Sequence, residues 1–75
     1  MILLNKHKVT AIYGRGPSSL YADINNGLFT EPVKLGKSSR WPDTEVDQII
    51  KARVAGWSDD QIRELVEKLE ADRTK

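Results

Sequence analysis

Lys34, Lys37 and Arg40 fall within seven residues of one another, with Gly36 and Ser38 between them. That density of fixed positive charge suits a polyanion, such as the sugar-phosphate backbone of a nucleic acid. The alternative is a set of solvated charges that blunt an exposed strand edge. A second group, Ser18, Ser19, Ala22, Asn25 and Asn26, is small or amide-bearing throughout. Serine hydroxyls can bind phosphate, an asparagine amide can read adenine, and an alanine methyl can meet the methyl of thymine. Tyr21 lies at the flank of this group, where its hydroxyl reaches toward a backbone, and Arg15 adds a cation just before it. The chemistry on offer is recognition of phosphates and base edges.

Catalytic chemistry lacks its parts. His7 is the one histidine, flanked by Lys6 and Lys8, and there is no cysteine, so neither a metal set nor a nucleophile pair can be assembled around it. A solvated His7 is expected. Asp59 and Asp60 could suggest a metal, but carboxylates in a first helical turn are what the helix dipole favours. Gly14-Arg15-Gly16 lacks the Lys-Ser/Thr ending of a phosphate loop. The expectation is a protein that is not an enzyme, with no cofactor, no metal and no small-molecule substrate.

The groups above must be positioned by local structure, and the turn signals are clear. Asn5 can cap a short helix over Lys6–Tyr13, with Val9 and Ile12 on its inner side. Gly14-Arg15-Gly16-Pro17 interrupts it, and Pro17 suits the first position of the next helix. Leu20 and Ile24 then face inward along Ser18–Asn26, which turns Ser18, Ser19, Ala22, Asn25 and Asn26 outward, and Gly27 supplies a left-handed stop. Two short helices around a glycine-containing turn outline a helix-turn-helix. Ordinary surface helices carry Lys and Glu outward; here only Asp23 fits that description.

Glu31-Pro32 opposes helix, and Val33-Lys34-Leu35 with Ser39-Arg40-Trp41 reads as a small β-hairpin around Gly36-Lys37-Ser38. The alternative is an irregular loop. As a hairpin, it is a basic wing able to follow phosphates or enter a narrow minor groove. Trp41 is expected in the core. Asp43 can cap a third helix, with Glu45 and Asp47 placed against its dipole, with Val46, Ile49, Ile50 and Val54 at helical spacing, and with Gly56 at its end. Ser58 and Gln61 match a capping box, and Trp57 with Ile62 a hydrophobic staple, for a fourth helix. Ile62, Leu65, Val66 and Leu69 form its apolar stripe, and Arg73 and Lys75 suit its C-terminal end.

With 75 residues the chain supports one small domain, which needs nearly all its apolar surface in the core. The net charge is +1, but it is unevenly spread: residues 1–41 carry six basic and two acidic groups, and residues 42–75 six basic and nine acidic. A polyanion therefore meets very different halves. The longest apolar run, Met1 to Leu4, is far below a bilayer span of about 20 residues. A soluble, cytoplasmic and nucleoid-associated protein with no membrane partner is expected.

Taken together, Ser18-Ser19-Leu20-Tyr21, Gly27-Leu28-Phe29, Pro32-Val33-Lys34-Leu35-Gly36, Arg40-Trp41 and Glu45-Val46 resemble the AlpA family. These are small winged helix-turn-helix regulators of phages and genomic islands, related to excisionases and to the MerR-like group. The resemblance runs from about Leu3 to Val54. It implies binding to double-stranded DNA, for promoter activation or for prophage excision beside an integrase. It also implies recognition positions at Ser18, Ser19, Tyr21 and Asn25, and wing positions at Lys34, Lys37 and Arg40. The chain departs from the family at Gly16-Pro17, where a capping serine is usual, and at Ala22-Asp23, where a basic residue is common. It departs again at Gln48-Ile49-Ile50, where a tryptophan is usual.

The fold class expected is mainly α with a small β-hairpin. Residues 1–56 would form a winged helix-turn-helix DNA-binding domain and residues 57–75 a C-terminal amphipathic helix. DNA contacts are expected from Arg15, Ser18, Ser19, Tyr21, Ala22, Asn25, Lys34, Lys37, Ser38 and Arg40. A protein-interaction module is the rival reading: the stripe Ile62, Leu65, Val66 and Leu69 would dock on an integrase or a second copy. Packing on its own domain is the favoured use of that stripe, given so short a chain.

Overall fold

Local capping chemistry sets most of the element boundaries. A computed structural model describes residues 1–74, and its elements run β1 (Leu3–Asn5), α1 (Lys6–Tyr13), α2 (Pro17–Asn25), β2 (Val33–Leu35), β3 (Ser38–Pro42), α3 (Asp43–Val54) and α4 (Asp59–Asp72). Asn5 caps α1, its side chain accepting from the Lys8 amide at 2.8 Å. Pro17 opens α2 as expected. Its end is a Schellman turn: the Leu28 amide donates to the Asp23 carbonyl at 2.8 Å and the Gly27 amide to that of Ile24 at 3.1 Å, with Gly27 at φ 75°. The Ser58–Gln61 capping box is present in both directions, so α4 begins where expected.

The result is mainly helical, with four helices and a three-stranded antiparallel sheet ordered β1-β3-β2. The hairpin forms, and its turn is tighter than expected. Leu35 pairs with Ser38, which leaves only Gly36 and Lys37 in the loop. Gly36 has φ 61° and Lys37 does not have positive φ, the pattern of a II′ turn, whose twist matches that of the strands. Lys37 therefore sits at the tip.

β1 is an element the chain's periodicity does not announce. It pairs antiparallel with β3 through Leu3–Pro42, Leu4–Trp41 and Asn5–Arg40. Beyond it the Ile2 amide donates to Asp43 Oδ1 at 3.0 Å, and the Asp43 amide donates to the Ile2 carbonyl at 2.8 Å. This corrects the reading of Asp43 as a cap. Pro42 occupies the cap position, and Asp43 is the first helical residue, its carboxylate holding the start of the chain.

Val9, Leu20, Phe29, Trp41, Val46, Ile49 and Ile62 meet in a core where each is at most 1% exposed. The Trp41 indole donates to the Thr30 carbonyl at 2.9 Å, tying β3 to the segment before β2. Two expected core members are outside it: Ile12 is 53% exposed and Val54 84%. In α1 the inward face runs through Val9 and Tyr13, which leaves Ile12 on the flank, and in α3 it runs through Val46, Ile49 and Ala52, which leaves Val54 on the rim of a surface cleft with Tyr13 and Arg15. Trp57 is 44% exposed and does not act as a buried staple. It follows Gly56 in a second Schellman turn, its amide donating to the Ala52 carbonyl at 3.1 Å. It borders a cleft with Ala52, Ala55 and Leu65.

The stripe of α4 turns inward. Ile62, Val66 and Leu69 are buried, and Leu65 is half-buried against them. Offered above as a docking surface for an integrase or a second copy, these four side chains are instead occupied by the chain's own core. Arg73 ends α4 and turns toward α3, while Lys75 lies outside the described residues. No described helix is long and apolar enough to cross a membrane.

The Thr30 side chain is fully buried, and its hydroxyl has no hydrogen-bond partner among the described residues. A desolvated, unpaired hydroxyl is a cost that an apolar side chain of the same shape removes. Thr30→Val is expected to raise the unfolding free energy by about 1 kcal/mol, read from denaturant melts. A loss of similar size would show that the hydroxyl is satisfied in solution.

Candidate nucleic-acid interface

The β1–β3 pairing decides what surrounds the basic hairpin. With Asn5 opposite Arg40, the first turn of α1 is brought beside the middle of β3. Across the same opening lies Tyr21 of α2. A polar cleft of about 340 Å³ results, lined by Asn5, Lys6, His7, Tyr21, Lys37, Ser39 and Arg40. Four of these side chains are cationic or can become so, and none is acidic. Lys6, His7, Tyr21 and Lys37 are exposed and Arg40 is half-buried. The cleft is an open concentration of positive potential, focused by the walls of the fold.

The structure thus joins α2 and the hairpin through Tyr21, Lys37 and Arg40. Lys34 faces Ser39 across the strands, its Nζ donating to the serine hydroxyl at 2.7 Å, which keeps that cation beside the cleft. Ser38 is exposed at the start of β3. Asn5, Lys6, His7 and Ser39 are the members that sequence reasoning missed, and Lys6 and His7 are the charged or ionisable ones. Their signal would have been the pairing of β1 with β3, since alone they are merely polar residues opening a helix.

α2 presents the outer face expected of it. Ser18, Ala22, Asn25 and Asn26 are exposed and Ser19 half-buried, while Leu20 is buried and Ile24 packs on the core. Gly16 offers no side-chain cap and Pro17 has no N–H. The Ser18 and Ser19 amides therefore point out of the helix start without an intrahelical acceptor, as a phosphate oxygen would require.

Asp23 is the largest departure on this helix. Expected outside, it is 7% exposed. The Tyr13 hydroxyl donates to its Oδ2 at 2.8 Å, and the Arg15 guanidinium meets the same oxygen at 3.2 Å. Burial, followed by the bond to the Asp23 carboxylate, raises the Tyr13 pKa above the ordinary 10.0 and keeps the phenol a donor. Asp23 thus braces the turn between α1 and α2. Its price is Arg15, which is held by this carboxylate and borders a different cleft, with Tyr13, Ile50 and Arg53.

Asn25 is likewise not brought to the basic cleft. One turn beyond Tyr21, it borders an opening with Glu31, Glu67, Glu70 and Arg63. Those three carboxylates oppose a phosphate and set the limit of the cationic face. Compared with family models, with curated proteins and with solved structures, the chain gives no match.

Proposed function

We propose that this protein binds duplex DNA as a winged helix-turn-helix regulator. α2 would lie in the major groove and the β2–β3 hairpin would act as a basic wing on the backbone or in the minor groove. The observation that carries this reading is the cleft in which α1, α2 and the hairpin converge with four basic side chains and no acidic one. Ser18 and Ala22, exposed, with half-buried Ser19 beside them supply the slim face that a major groove of about 12 Å admits. Asp23, turned inward and neutralised by Arg15, leaves that face without a negative charge. Non-enzymatic regulation, of a promoter or of excision as in the AlpA-type proteins the sequence resembles, is the role such a surface serves.

Salt dependence tests it. Lys6, Lys34, Lys37, Arg40 and the start of α2 make about five phosphate contacts, so log affinity should fall against log salt with a slope near −4 to −5. Fluorescence anisotropy of a labelled mixed-sequence duplex reads the slope. Absence of binding at low salt, or a slope near zero, would refute the proposal.

A further inference from the structure

His7 has a place in the basic cleft that the DNA-binding reading does not use. Its side chain is exposed and lines the opening with Lys6 of its own helix, Tyr21 of α2, Lys37 of the turn and Arg40 of β3. Those are the titratable and charged groups facing it from each element around the cleft, and no carboxylate is among them. Among the described residues, no carboxylate lines the cleft to neutralise an imidazolium.

A phosphodiester brought into the cleft changes this. It stays anionic across the physiological range and offers oxygens that a doubly protonated ring can approach as donor from either nitrogen. Imidazole changes charge between about pH 5 and 8, where the lysines and arginine of the cleft stay charged. We propose that one of the backbone phosphates of DNA entering the cleft seats at His7, and that this contact draws a proton onto the ring. Binding is then proton-linked, and mild acid tightens it. This inference rests on the DNA-binding reading and adds a regulated contact to it.

The chain's composition makes the linkage clean to measure, because His7 is its one histidine. An anion that favours the charged ring by about one pKa unit corresponds to about tenfold in affinity. Binding of a mixed-sequence DNA duplex at fixed ionic strength should therefore strengthen about sevenfold from about pH 8 to 5.5, most of that limit, within the span where imidazole titrates. His7→Gln, a change at an exposed position, should bind with little pH dependence over the same range. Calorimetry of the wild type near pH 7, in buffers of different ionisation enthalpy, should show uptake of about half a proton, the most that a shift of about one pKa unit allows. Equal pH dependence in wild type and His7→Gln, or no proton uptake, would overturn the inference and leave DNA binding standing. No binding by either protein at any pH would overturn the DNA reading itself, and this inference with it.

Discussion

Replacing Arg73 by alanine is expected to destabilise the protein by about 3 kcal/mol, because it strands a buried carboxylate. Glu45 is 5% exposed, and Arg73 grips both its oxygens, Nη2 to Oε1 at 2.6 Å and Nε to Oε2 at 2.8 Å. The same guanidinium donates to the Glu31 carbonyl at 2.7 Å, and the Glu31 amide donates to Glu70 Oε2 at 2.8 Å. One side chain at the end of α4 thus holds the start of α3 and the segment leading into the hairpin. A domain of this length has about 4–11 kcal/mol of stability in all, so the loss is a large share of it. Thermal melting should fall by about 12 °C or more. The double variant Glu45→Gln/Arg73→Ala should recover part of the loss, since the uncompensated charge is gone. An Arg73→Ala protein as stable as the wild type would mean that water reaches Glu45.

The second large effect concerns binding. Lys37→Ala/Arg40→Ala is expected to lower DNA affinity about fifty-fold near 0.1 M salt and to flatten the salt slope by about two. The arithmetic follows from counterion release: each lost phosphate contact removes a factor of about the salt concentration to the power −0.9. Lys37 is exposed at the hairpin tip, and among the described residues the Arg40 side chain makes one hydrogen bond, from its Nη1 to the neighbouring Ser39 carbonyl at 3.1 Å. Folding stability should therefore change by no more than about 0.5 kcal/mol. Anisotropy titrations over a salt series, with a denaturant melt as control, separate the two effects. An unchanged slope would remove the hairpin from the interface.

Much of the architecture was legible because its signals are local. Asn5, Gly27, Gly36, Gly56 and the Ser58–Gln61 pair each act within a few residues, and each marks a turn or helix end where it occurs. β1 was not legible, since Leu3–Asn5 becomes a strand only by meeting β3, nearly forty residues away. The same distance hid Lys6 and His7 from the site. Asp23 was a misjudgement of a different kind. It follows Leu20 by three and precedes Ile24, so helical spacing already put it on the inner face; its charge argued for the outer one, and Tyr13 and Arg15 are what allow it to stay in. Asn25 was placed correctly as an outward residue, but its neighbours Glu67 and Glu70 come from α4, beyond any local pattern. Ile12 and Val54 show that a three- or four-residue spacing does not by itself fix the inner face, which runs through Val9 and Tyr13 in α1 and through Val46, Ile49 and Ala52 in α3.

The most direct test is to titrate the protein with a mixed-sequence DNA duplex at low salt and follow its backbone amide NMR shifts. Perturbations should concentrate on Lys6, His7, Ser18, Tyr21, Lys37 and Arg40, leaving Lys51, Trp57 and Glu67 unmoved. Shifts centred on the α3–α4 side around Trp57, or none at all, would contradict the account.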